Sequence, residues 1–242
     1  MAAVKAVILT AFRPTPSRQR IFDFWRLWWA STGIPIFACD AGEPWSKARS
    51  INLASECASE WDVAMIADAD AIVPLDQLQR CLSFVTRTGV AAWPFTRYRR
   101  LTAEGTEEVL AGRTLSESIT IRPFKTDDGG LVIVPRRVWD SFGGLDPRFV
   151  GWGGEDNMLA VACRTMGGRM ERTKGLGYHL WHEPARRWDD PAWPAVQTLR
   201  QRYRAVDGKP AAFLALRAES EYPVQPASAG ERALGRTDAE AP

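Results

Sequence analysis

The stretch Trp61-Asp62-Val63-Ala64-Met65-Ile66-Ala67-Asp68-Ala69-Asp70 places a short apolar run directly before two acidic side chains. An apolar run of about four to eight residues that is bounded by polar residues is typical of a buried β-strand. We therefore expect a strand over Val63–Ala67, with Asp68 and Asp70 at its carboxyl end.

Similar apolar runs alternate with helical patterns on both sides of this stretch. Strands are predicted over residues 4–11, 34–39 and 90–95, and helices over residues 18–30, 46–59 and 75–86. This alternation predicts an α/β fold with a mainly parallel sheet that is flanked by helices. Ligands of such sheets bind beyond the carboxyl ends of the strands. We therefore expect Phe12, Arg13 and Asp40 to meet Asp68 and Asp70 in one crevice.

The second half of the chain has a less regular pattern. Residues 131–134 predict a strand, and residues 136–142, 155–166 and part of 187–206 predict helices. Residues 97–126 fit either a hairpin or a mobile loop. We expect a single folded domain over residues 1–218 and a disordered tail over residues 219–242, where Pro, Ala, Ser, Gly and charged residues dominate.

The composition is that of an ordinary globular protein. Its 242 residues carry 31 Lys and Arg against 29 Asp and Glu, which gives no strong case for a nucleic-acid partner. The basic run Arg97-Tyr98-Arg99-Arg100 leaves that partner open, since it fits an acidic glycan, a protein, a nucleic acid or a solvated loop. The four cysteines are scattered, and no apolar run is long enough to span a membrane, so we expect a cytoplasmic protein.

The segment Gly151-Trp152-Gly153-Gly154-Glu155-Asp156 combines a glycine-rich turn with an aromatic ring and two adjacent carboxylates. The glycines allow a tight turn and a close approach of the backbone. The indole offers a flat apolar face to a sugar ring. The carboxylates can bind hydroxyls, and one of them can accept a proton. These properties together favour a site that binds and transfers a sugar.

A metal site is predicted from the acidic pair and from both histidines of the chain. Asp68 and Asp70 offer the oxygen ligands that suit Mn²⁺ or Mg²⁺, and His179 and His182 lie in one short segment. The alternative is a strand-terminal turn with solvated aspartates, together with histidines that are bonded to the backbone.

A nucleotide site is predicted beside the metal site. Thr10, Phe12 and Arg13 leave the first strand in a loop that could hold a base and a phosphate, and Asp40 could accept a hydrogen bond from a base. Lys47 and Arg49 begin a helix that points toward the same edge of the sheet, and a helix N-terminus with basic side chains favours a diphosphate.

The order of these motifs resembles glycosyltransferases of the GT-A fold. A D-x-D at a strand end is followed by a Gly-Gly-Leu-Val-Ile-Val-Pro-Arg strand, Gly-Gly-Leu-Asp-Pro-Arg-Phe, Gly-Trp-Gly-Gly-Glu-Asp and a late histidine. The resemblance covers residues 4–184. It is to the galactosyltransferase module of β-1,4-galactosyltransferases and polypeptide GalNAc-transferases, and to family 2 enzymes of the chondroitin-polymerase type. Without a membrane anchor, the chain looks like a bacterial or phage form.

The resemblance implies a role for each motif. It implies a UDP-sugar as donor, a glycan, protein or other hydroxyl-bearing acceptor that residues 97–126 help to select, and Mn²⁺ (or Mg²⁺) as cofactor. Asp70 and Asp68 would hold the metal and the sugar nucleotide, with His182 as a further metal ligand and His179 as its alternative. The other implied roles are contacts with the sugars for Trp152 and Gly153, hydroxyl binding for Glu155 and the general base of an inverting transfer for Asp156.

Two other functions are compatible with the sequence. A nucleotidyltransferase would also use acidic residues and a metal, although no glycine-rich phosphate loop follows the first strand. A carbohydrate-binding or degenerate transferase domain would bind sugar without catalysis.

Overall fold

A computed structural model describes residues 4–115, 120–124, 129–151, 153–183 and 190–220, with the backbone alone for residues 120–124. The strands are β1 Ala6–Ala11, β2 Ile36–Cys39, β3 Val63–Ala67, β4 Ala71–Ile72, β5 Ala91–Trp93, β6 Arg97–Leu101, β7 Thr120–Phe124, β8 Leu131–Pro135, β9 Met170–Arg172 and β10 Leu176–His179. The helices are α1 Pro16–Ala30, α2 Lys47–Ala58, α3 Leu75–Thr88, α4 Ala103–Leu110, α5 Arg136–Phe142, α6 Glu155–Gly167, α7 Trp193–Ala205 and α8 Pro210–Ala218.

The central sheet has six strands in the order β2-β1-β3-β8-β5-β9. Strand β8 is antiparallel to both of its neighbours, whereas the other five strands share one direction. The predicted α/β fold with a mainly parallel sheet is therefore confirmed. The alternation alone did not predict that β8 lies between β3 and β5. All five residues of β8 are buried, as a strand in the middle of a sheet requires.

A second sheet brings the histidine segment to the end of β3. Its strands lie in the order β4-β10-β6-β7, and β10 pairs with β4 so that His179 lies opposite Ala71. Because Ala71 directly follows Asp70, this antiparallel pair places the histidines beside the second aspartate.

Residues 97–126 form strand β6, helix α4 and strand β7 among their described members. Strands β6 and β7 are antiparallel, so the hairpin expectation was right for the strands but missed the helix between them. Thr102 caps that helix by accepting a hydrogen bond from the backbone N–H of Gly105 at 3.0 Å.

The core is rich in tryptophan, as the composition suggested. Trp25 and Trp29 of helix α1 are fully buried against the sheet. All four cysteines are free thiols. Within the described residues, no helix has the length and apolar character needed to cross a membrane. Of the predicted tail, only Glu219 and Ser220 lie inside the described residues.

Candidate active site

Three of the four predicted metal ligands form one cluster. The ligand atoms of Asp70, His179 and His182 lie within 4.8 Å of one another. The Nε2 atom of His182 is 3.0 Å from Asp70 Oδ2, and the Nε2 atom of His179 is 3.7 Å from Asp70 Oδ1. One carboxylate thus faces two imidazole nitrogens.

Backbone contacts fix the orientation of both imidazole rings. The Nδ1 atoms of His179 and His182 lie 2.7 and 2.8 Å from the carbonyl oxygens of Leu180 and Glu183. These contacts leave the Nε2 atom of each ring to face Asp70. Outer contacts of this type orient histidines that bind metals.

The cluster has the electrostatics of a cation site. Asp70 is only 3% exposed, and its Oδ1 atom has no hydrogen-bond partner among the described residues. Burial opposes the charge of Asp70, but the nearby His179, His182 and Arg18 outweigh it and hold the pKa of Asp70 well below its ordinary value. Burial likewise opposes the charged form of His182, but the hydrogen bond to Asp70 raises its pKa. A buried carboxylate that stays charged, with one oxygen unbonded, fits a metal ligand.

Arg18 is a cation at this cluster that the sequence analysis did not select. Its Nη2 atom donates to Asp70 Oδ2 at 3.1 Å from the first turn of helix α1. The guanidinium therefore adds a positive charge beside the carboxylate that faces the two histidines. The sequence offered one signal for selecting Arg18, because this arginine lies at the start of a predicted helix that follows shortly after Arg13.

A second cluster surrounds Lys47 and joins the two acidic motifs. The Lys47 Nζ atom is 2.5 Å from Asp68 Oδ1, 2.7 Å from Asp156 Oδ1 and 3.5 Å from Glu155 Oε1. Burial opposes the charge of Lys47, but the three carboxylates outweigh it and raise its pKa well above the ordinary value. Asp68 is therefore an ion-pair partner of Lys47. The prediction of a shared metal site requires Asp68 beside Asp70 and the histidines, but in this structure Asp68 lies outside that cluster.

Asp156 has the properties of a proton acceptor. Burial, together with the negative charges of Glu155 and Asp68, raises its pKa to about 8, although Lys47 acts in the opposite direction. Its side chain keeps 31% of its surface exposed, so an acceptor hydroxyl can reach it. A base with a pKa near the working pH is the most effective one.

The glycine-rich segment before helix α6 is tied to the start of helix α2. The Ser46 hydroxyl donates to the Phe149 carbonyl at 2.7 Å, and the Gly151 N–H donates to the Trp45 carbonyl at 2.8 Å. At Gly154, φ is +94° and an added Cβ would lie 2.5 Å from the Phe149 ring, so only glycine fits there. These contacts bring Lys47 to Glu155 and Asp156. Gly153 is described next to Gly154, whereas Trp152 lies outside the described residues.

The predicted nucleotide residues form a third group at the ends of β1 and β2. Arg13 donates to both carboxylate oxygens of Asp40, at 2.7 and 2.8 Å. Burial opposes the charge of Asp40, but the hydrogen bond from Arg13 outweighs it and lowers the pKa of Asp40. The guanidinium also lies 4.9 Å from the ring centroid of Trp45. Trp45 is half-buried, and the sequence analysis missed it because ten other tryptophans make a single one uninformative.

The other three predicted nucleotide residues, Thr10, Phe12 and Arg49, are buried or half-buried. Thr10 is fully buried within β1, and Phe12 is 3% exposed and stacks on Phe22 with centroids 3.7 Å apart. Because the core encloses both side chains, contacts of these two residues with a donor would come from their backbone, and their assignment to the nucleotide site stays a prediction. Arg49 is half-buried and donates to the Ala41 carbonyl at 2.8 Å.

Comparisons with known proteins found similar domains. The family model described as the N-terminal domain of galactosyltransferase matches residues 114–183. The catalytic domain of Drosophila β1,4-galactosyltransferase 7, in complex with xylobiose, matches with a TM-score of 0.51 at 18% identity, over 78% of this chain and 74% of that chain. GalNAc-T7 with UDP, GalNAc and Mn²⁺ matches with a TM-score of 0.46 at 12% identity, over 89% of this chain and 48% of that chain. No curated protein matches the chain.

The matched segment contains both histidines and the glycine-rich motif with Glu155 and Asp156. The first of the two structures shares the fold. The chain therefore has the GT-A fold and resembles galactosyltransferases over the segment that holds these residues.

Proposed function

We propose that the protein transfers a hexose or an N-acetylhexosamine from a UDP-sugar to an acceptor hydroxyl, with inversion at the anomeric carbon. One observation carries the proposal: Asp68 and Asp70 leave the same strand, one toward Lys47 and Asp156 and the other toward the two histidines. A cation site and a proton acceptor therefore lie at the same edge of the sheet, as a single displacement requires.

Asp70, His179 and His182 would hold the metal, and Mn²⁺ fits them better than Mg²⁺. The orphaned Oδ1 atom of Asp70 provides an oxygen ligand, and the histidines provide two nitrogens, which Mg²⁺ seldom takes. A bound divalent cation supplies charge neutralisation for the departing diphosphate.

Asp156 is assigned as the general base of the transfer. Its raised pKa and partial exposure suit the removal of a proton from the attacking hydroxyl, which contributes about 10²–10⁴-fold. Lys47 holds that carboxylate and its neighbour Glu155, and Glu155 can bind sugar hydroxyls. Because one base serves one displacement, the anomeric configuration inverts.

The donor nucleotide is assigned to the ends of β1 and β2. The Trp45 ring offers an aromatic face to a base, and the Arg13–Asp40 pair offers hydrogen-bonding groups beside it. Arg18 lies next to the metal cluster, where a diphosphate needs a cation. UDP-galactose, UDP-N-acetylgalactosamine and UDP-glucose remain equal candidates. The cytoplasmic location stays a prediction.

The substitution Asp156→Asn tests the proposal directly. We expect loss of transfer by at least about 10²-fold with retained binding of UDP and Mn²⁺, measured by titration calorimetry. Asp140→Asn, an exposed change on helix α5, serves as the matched control. Full activity of Asp156→Asn would contradict the assignment, and the anomeric configuration of the product, read by NMR, tests inversion.

Metal removal separates the transferase from the two other candidate functions. With Mn²⁺ and a panel of sugar nucleotides, the protein should release UDP from UDP-sugars alone. Release should stop on chelation and return with Mn²⁺. Release from nucleoside triphosphates would favour a nucleotidyltransferase, and no release from any donor would favour a binding domain.

A further inference from the structure

A cavity lies beside the metal cluster, between helices α1 and α4. Its volume is about 180 Å³, and Ile21 and Leu110 form part of its apolar lining. Trp181 closes one side, and its side chain keeps 40% of its surface exposed. A large aromatic side chain so exposed beside a cavity is a typical ligand contact.

Helix α4 holds the backbone of this tryptophan by a hydrogen bond. The Thr106 hydroxyl accepts a hydrogen bond from the Trp181 backbone N–H at 2.7 Å. Thr106 is 2% exposed, so the contact is protected from water. The backbone of Trp181, next to His182, is therefore held against helix α4.

The rim of the cavity is polar but carries no excess of positive charge. Arg20 of α1 pairs with Glu107 of α4 at 2.7 Å, and Ser17 and Glu183 complete the rim. The guanidinium is thus matched by a carboxylate, and a second carboxylate lies nearby. This balance disfavours a phosphate or a uronate and suits a neutral ligand with several hydroxyls.

The size of the cavity suits one ring of a ligand. An apolar protein cavity of about 150 Å³ holds one benzene molecule, so about 180 Å³ leaves room for a single six-membered ring. An aromatic wall, an apolar floor and a rim of hydroxyl, guanidinium and carboxylate groups match the faces and edges of a pyranose.

We propose that this cavity is a subsite for one neutral pyranose unit of the acceptor glycan. The proposal rests on the proposed function. The cavity is lined by His182 but by none of Lys47, Glu155 and Asp156, so the reacting hydroxyl lies elsewhere. The bound unit is therefore a remote one, and helix α4 selects acceptors by their length and by the neutrality of that unit.

The test fills the cavity from helix α4, away from the metal ligands. Ala103→Trp places a ring in the cavity, and Ala111→Trp adds the same side chain at an exposed position just beyond the helix. Binding of neutral and acidic mono- and oligosaccharides is measured by NMR without donor or metal, so that failure of catalysis cannot affect the result. Release of UDP from a UDP-sugar with Mn²⁺ tests the transferase separately.

We expect neutral glycans to bind the wild-type protein and Ala111→Trp equally, and Ala103→Trp at least about tenfold more weakly. Glu107→Gln, an exposed change that removes one carboxylate, should weaken binding in the same direction even if Ala103→Trp fails to fold. Equal glycan binding by Ala103→Trp and wild type, binding of acidic glycans alone, or binding of no glycan by the wild type would each overturn the proposal.

Discussion

Lys47 is the residue that connects the two acidic motifs of the site. Its ammonium group contacts one carboxylate that follows β3 and two carboxylates that begin α6. Three negative groups around one cation leave an excess of negative charge, and a partly buried site cannot dissipate that charge into water. Burial of Asp156 and this excess of negative charge together raise its pKa to about 8.

The pH dependence of transfer should follow Asp156. The active form of a base is the deprotonated one, so kcat/KM should rise with pH and level off above about 8. Lys47→Met removes the charge that lowers this pKa, so the rise should shift to higher pH by about one to three units. Rates of UDP-dependent transfer measured across pH provide the test.

Lys47→Arg is the matched control for this shift, because it keeps the positive charge. Its profile should stay closer to that of the wild type. Identical profiles for Lys47→Met and the wild type would mean that Lys47 does not set the pKa of the base. A profile without any rise near pH 8 would remove Asp156 from the role itself.

Residue patterns predicted one cluster better than the other. The histidines lie three residues apart and the aspartates two apart, so local spacing alone indicated a metal site. Lys47 and Asp156 are separated by 109 positions, and only the folded chain brings them together. A lysine at a helix start fits a phosphate as well as a carboxylate, so sequence could not distinguish its partners.

At the scale of elements, the junction between helix α2 and residues 149–151 decides the shape of the site. The Ser46 hydroxyl accepts the Arg49 N–H at 3.2 Å as the cap of α2, and it donates to the Phe149 carbonyl. Ser46 and Gly151 also form a parallel bridge. One small buried side chain therefore caps a helix and fixes the loop that leads to Asp156.

Ser46→Ala should cost more than the loss of a helix cap. A cap alone contributes about 1 kcal/mol, and the unpaired Phe149 carbonyl adds about 1–3 kcal/mol. Thr102→Ala removes only the cap of α4 and is the matched control. Urea denaturation measures both free energies of unfolding. Equal losses for the two variants would show that the contact with Phe149 contributes nothing.

Elements with a strong period were predictable, and those that depend on tertiary contacts were not. Val63–Ala67 and the helix Arg136–Phe142 appear at the bounds that the pattern predicted. Helix α4 was missed because Gly105 and Thr106 weaken its local signal, while its contacts with α1 and Trp181 lie far away in sequence. The direction of β8 depends on its neighbours, which no local pattern encodes.

At the scale of the whole molecule, one buried carboxylate joins the last two helices to the site. Asp146 is fully buried and accepts the Tyr203 hydroxyl of α7 at 2.6 Å and the Arg148 guanidinium at 2.7 Å. Arg148 in turn donates to the Leu216 carbonyl of α8 at 2.7 Å. The chain continues from Arg148 into Phe149 and Gly151. The contacts of Asp146 and Arg148 with the C-terminal helices therefore anchor the segment that leads into the glycine-rich turn.

Asp146→Ala should therefore destabilise the entire fold. The change leaves the Arg148 charge without its buried partner, which costs about 3–5 kcal/mol. Tyr203→Phe removes one hydrogen bond and keeps the ion pair, so it should cost about 1–3 kcal/mol. Asp76→Ala breaks an exposed ion pair with Arg80, which water screens, and should cost the least of the three. Urea denaturation of the three variants should give free energies of unfolding in that order. If Asp146→Ala lost as little stability as Asp76→Ala, the C-terminal helices would be held by apolar packing alone.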